Sequence, residues 1–108
     1  MPTDAEWRTL TDFLGGELVV GGKMKSTTGW QAPNTGATNE SGFSGLPGGG
    51  LFNFNGTFND VGYIGYWWSS SEFFTSIAWY RSLGYEDVVA GRDANFKHWG
   101  FSVRCIRN

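Results

Sequence analysis

The sequence predicts an α+β fold with one or two N-terminal helices, a long irregular loop region and a small antiparallel sheet. Three observations support this class. A helix-capping signal stands directly ahead of apolar residues at helical spacing, residues 26–50 are poor in apolar side chains, and residues 76–85 alternate as a strand does. Helical and strand segments that occupy separate parts of the chain are typical of α+β domains.

The first element is a predicted helix over residues 4–14. Thr3 and Glu6 form a capping box, and Asp4 favours the positive end of the helix dipole. Gly15 and Gly16, which follow directly, are expected to end the helix. Apolar residues recur within the helix at helical spacing, and we expect them to pack inward: Trp7, Leu10, Phe13 and Leu14.

The stretch after this helix is less regular. Residues 17–25 fit either a short second helix or a strand, because Gly21 and Gly22 interrupt them. Residues 26–50 are predicted to form a long ordered loop, which is uncommon in a compact domain and usually functional. We expect three large apolar side chains to hold this loop against the core: Trp30, Phe43 and Leu46.

The second half of the chain predicts strands over residues 62–70 and 76–85, a shorter one over 86–91, and a closing one over 101–106. In the closing strand, Phe101, Val103 and Cys105 alternate. In the two earlier strands, we expect Trp79 and one of Trp67 and Trp68 to be core residues. The strand over residues 76–85 separates into two faces. One face carries Trp79, Arg81, Leu83 and Tyr85, and the other carries Ala78, Tyr80, Ser82 and Gly84.

Length and composition limit the function. The 108 residues suit a single domain over residues 1–108, and its core must be built from large rings because 18% of the residues are aromatic. A net charge of −2 argues against a nucleic-acid binder, and no apolar run is long enough to span a membrane. Cys105 is the only cysteine, which excludes an internal disulfide, and we expect it to be a small buried apolar residue.

Residues suited to catalysis are few, so we expect that the protein is not an enzyme and uses no cofactor or metal. His98 is the only histidine, and any Ser–His–Asp triad would depend on it. Glu86 and Asp87 are adjacent in the chain, so a turn or rim position suits them better than an acid/base pair. Four side chains offer oxygen ligands for calcium but more often form turns in glycine-rich loops: Asn34, Asn39, Glu40 and Asp60.

Five blocks, in colinear order over nearly the whole chain, resemble the Fibrobacter succinogenes major paralogous (FISUMP) domain: PTDAEW, TGATNESGFSGLPGG, GYWWSSSE, AWYRSL and GFSVRCIR. That family is grouped with C-type-lectin-like folds, so the resemblance implies such a fold, with the ligand surface on the strand-rich half. The calcium-binding loop motifs of true C-type lectins do not occur in the sequence. Family members usually carry an upstream segment whose cysteine could bridge to Cys105, so we expect the chain to be a fragment of a longer protein.

The chain also resembles the variable proteins of diversity-generating retroelements, which keep a framework and vary the positions between. Framework-like residues here are Ala78, Trp79, Arg81, Leu83, Tyr85, Arg92, Lys97 and the closing block GFSVRC. The resemblance assigns the intervening positions to ligand binding, and their mixture of rigid rings and polar groups is typical of binding surfaces. These candidate residues are Phe73, Phe74, Ile77, Tyr80, Ser82, Gly84, Glu86, Asp87, Val89, Gly91, Asp93, Asn95, Phe96, His98 and Trp99.

The sequence therefore predicts a non-catalytic recognition or adhesion module that binds a protein or glycan ligand through residues 73–99. The resemblance implies an extracellular, cell-surface or phage-virion location. The alternative is a structural or spacer domain of a secreted surface lipoprotein, with no ligand of its own. The sequence leaves the oligomeric state open.

Overall fold

A short N-terminal helix and a three-stranded antiparallel sheet organise the chain, as the computed structural model shows for residues 1–52 and 58–105. The elements are α1 (Asp4–Phe13), α2 (Gly21–Met24), β1 (Gly50–Leu51), β2 (Phe58–Asn59), β3 (Ile64–Phe74), β4 (Ile77–Gly84) and β5 (Ala90–Phe96). The main sheet has the order β3-β4-β5, and β1 and β2 form a separate pair. The predicted α+β class is confirmed. Within the described residues, no helix is both long and apolar enough to cross a membrane.

Helix α1 begins as the capping box predicts. The Thr3 side chain accepts from the Glu6 N–H, and the Glu6 side chain accepts from the Thr3 N–H. Trp7 is buried on the inward face, but Phe13 is 85% exposed, so its predicted place among the inward residues is wrong. Six residues after Trp7, Phe13 lies about 120° away around the helix and faces solvent.

Residues 17–25 contain the short helix α2, and residues 26–49 form the predicted irregular loop. The Trp30 indole donates to the Gly45 carbonyl at 3.0 Å, and Trp30 and Phe43 pack against the core. The expectation for Leu46 is wrong, because its side chain is largely exposed. Backbone φ is positive at Asn34, Asn39 and Asp60, a conformation that asparagine and aspartate adopt in turns more readily than most residues.

The strands of the main sheet differ from the predicted ranges in two places. β3 continues to Phe74, with register shifts against β4 on both sides of Glu72. The third strand is Ala90–Phe96, not residues 86–91, because the chain turns at Tyr85 and Glu86. The Val88 carbonyl then accepts from the Gly21 N–H at 2.7 Å, which directs that segment toward α2 and away from the sheet.

The predicted closing strand is also wrong within the described residues. Residues 101–105 make one parallel bridge to β3, between Trp67 and Ser102, and no extended ladder; Ile106 lies outside the described residues. The chain then leaves the sheet, and the Arg104 guanidinium lies 4.4 Å from the centre of the Phe43 ring. Cys105 is consequently exposed, not buried.

The core lies between α1 and one face of the main sheet. It is built from Trp7, Val20, Met24, Trp67, Leu83 and Ala90. Its rings meet edge to face, with 5.7 Å between the centres of Trp7 and Phe43 and 5.5 Å between those of Phe43 and Trp67. The expectation that Trp79 is a core residue is wrong, because its ring is only half-buried, between Arg92 and Phe73. We call the sheet face toward α1 the inner face and the opposite one the outer face.

Candidate functional site

The two faces of β4 separate as its alternation predicts. Leu83 belongs to the core, and Arg81 is buried against α1, where it donates to the Asp4 carboxylate at 2.6 Å. Tyr80 and Ser82 lie on the outer face, opposite Asp93 and Gly91 of β5. Trp67 lies in the core, so its neighbour Trp68 is the ring that points to the outer face.

An ion-pair network fixes the inner face to α1. The Asp4 carboxylate accepts from Arg81 and also from Arg92, whose Nη2 lies at 2.8 Å. The Arg92 guanidinium in turn lies 3.8 Å from the Trp79 ring centre, a cation–π contact. Burial opposes ionisation of Asp4, but hydrogen bonds from Arg92 and Arg81 outweigh it, so the pKa of Asp4 lies below its ordinary value. The network holds the sheet and α1 in one arrangement.

The outer face carries a second group of packed rings, which we call the outer aromatic cluster: Phe52, Tyr66, Trp68, Tyr80, Trp99 and Phe101. Phe101 is at its centre. Its ring is 4.5 Å from Trp68, 4.8 Å from Tyr66 and 4.9 Å from Tyr80, measured between centres. Tyr80 is therefore half-buried by contacts within the chain. Most of the outer face is occupied by the protein's own side chains.

Burial keeps the hydroxyl groups of this cluster protonated. It raises the pKa of Tyr66, and a hydrogen bond to Asp60 at 3.0 Å raises it further. Burial also raises the pKa of Tyr80, the charge of Asp93 adds to the rise, and a hydrogen bond with Asn95 opposes it. The Tyr66 hydroxyl thus donates to Asp60, whereas the hydrogen bond between Tyr80 and Asn95 is one that the Tyr80 oxygen accepts.

The candidate ligand-binding residues fall into three groups in the structure. The outer face carries Tyr80, Ser82, Gly84, Gly91, Asp93 and Asn95. The end of the β3–β4 hairpin and the turn after β5 carry Phe73, Phe74, Ile77, Phe96, His98 and Trp99. The connection from β4 to β5 carries Glu86, Asp87 and Val89. Since β4 spans roughly 23 Å at about 3.3 Å per residue, the second and third groups are separate surfaces.

The hairpin end exposes large apolar rings. Phe73, Phe74 and Phe96 are 51%, 64% and 45% exposed. Phe73 lies 5.1 Å from Trp79, between ring centres, and the Phe96 ring stacks with His98 at 5.3 Å. The register shifts in β3 produce this arrangement, because bulges bend a strand and redirect its side chains. We call these three phenylalanines and His98 the hairpin-end patch.

A cavity of about 320 Å³ opens beside the same hairpin. Its lining residues are Met1, Trp68, Ser69, Ser70, Glu72, Ala78 and Lys97. Two of these residues, Lys97 and Glu72, form an ion pair with each other. None of these residues is among the predicted ligand-binding positions. The cavity lies beside the register shifts of β3, which no local sequence pattern predicts.

Sequence reasoning also missed Lys25, which is fully buried. Its ammonium donates to three backbone carbonyls, those of Thr35 at 2.8 Å, Gly84 at 3.0 Å and Asp87 at 2.9 Å. Burial lowers the pKa of Lys25, and the charge of Asp87 opposes the change. The side chain fastens the loop and the β4–β5 connection to α2. Nothing in its sequence surroundings indicates this role, since the three acceptors are distant in the chain.

The described residues show how the remaining candidate groups are used. Glu86 accepts from the Tyr85 hydroxyl at 2.8 Å, and Asp87 accepts from the Val89 N–H at 3.1 Å, so both carboxylates serve the turn. Within residues 1–52 and 58–105, no three His, Cys, Asp or Glu side chains are grouped closely enough to hold a metal ion.

One comparison with known proteins gives a match. The sequence model of the Fibrobacter succinogenes major domain matches residues 1–107, nearly the whole chain. No curated protein and no solved structure matches.

Proposed function

The chain belongs to the Fibrobacter succinogenes major domain family, and we propose that it is a non-catalytic recognition module that binds its ligand at the hairpin end. The observation that carries the proposal is the hairpin-end patch. Three phenylalanines stay at least 45% exposed although the domain packs other rings closely on both faces of its sheet. Exposed aromatic groups beside polar ones are typical of binding surfaces.

The neighbouring cavity supports the same site. Trp68 lines one concave space of about 320 Å³ together with Glu72 and Lys97, whose charged groups bind each other and would exchange that ion pair for bonds to a ligand. Ligand sites are commonly concave, with apolar walls and a few polar groups. A protein side chain or a sugar ring suits this chemistry, because both combine an apolar surface with hydrogen-bonding groups.

The proposal includes the location that the resemblance to C-type-lectin-like folds and to retroelement-diversified proteins implies. On that reading the protein acts at a cell surface or on a phage virion, as part of a longer chain, and the hairpin end is the part of its surface that meets the ligand. No enzymatic role is included, because the carboxylates of Glu86 and Asp87 are engaged in their own turn.

A spacer domain without a ligand is the second candidate, and the outer aromatic cluster favours it. Tyr80 and Trp99, both candidate binding residues, pack against Phe101 and Phe52 of the same chain. Rings used in this way stabilise a domain and are only partly available to a ligand.

A paired substitution distinguishes the candidates. The variant Phe74→Ala/Phe96→Ala removes two exposed rings, and Phe13→Ala/Leu18→Ala is the matched control because it removes two exposed apolar side chains from the α1 end. The assay is binding of the labelled domain to a glycan array, to whole bacterial cells and to an array of bacterial surface proteins. We expect the first variant to lose at least ten-fold in affinity and the control to bind as wild type does.

Two outcomes contradict the proposal. If the folded wild-type domain binds none of the probes, the spacer reading replaces it. If the wild type binds and both variants bind equally well, the ligand site lies elsewhere. Far-ultraviolet circular dichroism on each variant confirms that the fold is retained.

A further inference from the structure

The two edge strands of the main sheet, β3 and β5, differ in how far other segments of the chain cover them. The edge of β3 that faces away from β4 is covered, because its backbone hydrogen-bonds to Gly49, Ser102 and Pro2 at 2.8–3.1 Å. On the far side of β5, the Ala90 N–H donates to the Glu17 carbonyl at 2.7 Å. Within the described residues, the rest of this side of β5 makes no backbone hydrogen bond to another segment. The free edge of the sheet is therefore the part of β5 from residue 92 to residue 96.

The direction of the backbone groups along this edge follows from the antiparallel pairing. Alternate residues of a central or edge strand bond to opposite sides. Since the Ala90 N–H points away from β4, the backbone groups of Arg92, Ala94 and Phe96 do so too. A row of outward N–H and C=O groups is a template on which another strand can pair.

Two of these outward N–H groups already have partners on their own strand. The Ala94 N–H donates to Oδ1 of Asp93 at 2.8 Å, and the Phe96 N–H donates to Oδ1 of Asn95 at 3.0 Å. In each bond the acceptor belongs to the residue directly before the donor, so the bond fixes only two neighbouring residues. An incoming strand would have to displace both side chains before it could form its own ladder.

We propose that Asp93 and Asn95 cover this edge and prevent β5 from pairing with β5 of a second copy of the chain. An antiparallel pair centred on Ala94 is the arrangement that they prevent. It would place Ala94 opposite itself and Phe96 opposite Arg92, so every outward group would meet its complement across a two-fold axis. The exposed Phe96 ring would then be buried, which gives self-pairing an apolar component.

This role goes beyond ligand binding and has a consequence for it. Phe96 belongs to the hairpin-end patch, so pairing of two β5 strands would bury part of the surface that the patch offers. Side chains that keep the edge closed would keep that surface available.

The test is the self-association of Asp93→Ala/Asn95→Ala in the full chain. Analytical ultracentrifugation over a concentration series gives the dimer dissociation constant, which we expect to fall at least ten-fold relative to wild type. Asp93→Asn is the matched control, because it removes the charge of Asp93 and keeps an oxygen acceptor, and we expect it to associate no more than wild type.

Amide hydrogen exchange locates any dimer contact. In the dimeric variant, the Ala94 and Phe96 amides should exchange at least ten-fold more slowly than in the same variant diluted to the monomer. The single variants Asp93→Ala and Asn95→Ala serve if the double variant does not fold, each with a smaller increase in association. The proposal is overturned if the folded variants stay monomeric wherever wild type does, or if a dimer forms without protecting these two amides.

Discussion

Replacement of Lys25 by methionine tests whether a buried ammonium organises one end of this domain. Methionine has a similar unbranched length and fills most of the same space, so the change mainly removes the charge and its hydrogen bonds. Three carbonyls then lose their donor, those of Thr35, Gly84 and Asp87. Among the described residues, the Lys25 ammonium is the one side-chain donor to these three carbonyls.

The magnitude follows from these contacts. An unsatisfied buried acceptor costs ~1–3 kcal/mol, and removal of the burial cost of the ammonium offsets part of the sum. We expect the free energy of unfolding to fall by about 3–5 kcal/mol, the lower part of the sum over three acceptors, because the three carbonyls are only part-buried. A chain of this size is stabilised by about 5–15 kcal/mol, so the loss is a large fraction of the total.

The assay is urea unfolding followed by tryptophan fluorescence at pH 7. Lys23→Met is the matched control, because the Lys23 ammonium donates to a single carbonyl, that of Leu14, at 2.7 Å. We expect the control to lose only ~1 kcal/mol. A second measurement uses Lys25→Ala with added methylammonium, which should restore stability in proportion to its binding to the folded state, whereas tetramethylammonium, which has no N–H donor, should not.

Two results would refute this reasoning. One is a Lys25→Met variant that unfolds within about 1 kcal/mol of wild type, the size of an ordinary surface change. The other is equal recovery of Lys25→Ala in methylammonium and tetramethylammonium, which would mean that ionic strength, not a donor to the carbonyls, accounts for it.

Further predictions concern the scaffold. Asp4→Asn should lower the free energy of unfolding by about 3 kcal/mol at pH 7, because it leaves a buried arginine without its counterion. The pKa of Asp4 is lower in the folded state than in the unfolded state, where it is about 3.9. The Asp4 carboxylate therefore stabilises the fold above that pH, and its stabilisation is lost as the pH falls below it. In acid titrations, the difference in free energy of unfolding between wild type and Asp4→Asn should narrow below about pH 4. Trp79→Ala should cost ~3 kcal/mol by chemical denaturation, since it removes a half-buried ring and its contact with Arg92; near-wild-type stability would contradict its placement on the inner face. Gly22→Ala should strongly destabilise the fold in a thermal melt, because its Cβ would lie 2.2 Å from a backbone oxygen, whereas Gly84→Ala, where the space is open, should change little.

Local signals in the sequence predict the elements whose cause is local. The capping box at Thr3 and Glu6 fixes the start of α1, and both hydrogen bonds of that box are present. The alternation of residues 76–85 predicts the two faces of β4, because a strand that is buried on one side must repeat every second residue. Phe13 shows the limit of such reasoning, since an apolar residue close to the helical spacing still lies on the solvent side.

What the sequence does not predict depends on contacts between distant segments. Residues 86–91 contain an apolar run that suggests a strand, but Val88 is bound instead to Gly21 of α2. The partners of Lys25 are likewise remote in sequence, the nearest of them ten residues away. The sequence likewise predicts the candidate site as one surface. Spacing along the chain does not show that its residues lie at opposite ends of β4.

The division of the candidate residues narrows where recognition can occur. Tyr80 packs against Phe101, so a change at this position would disturb the outer aromatic cluster as well as any ligand. Phe74 faces solvent and can vary without opening the core, while its neighbour Phe73 touches Trp79, which stacks on Arg92. The hairpin end is thus connected through a short series of contacts to the ion-pair network on α1. A surface that is exposed but held in this way needs little reorganisation to bind, which favours affinity at the hairpin end over the rest of the outer face.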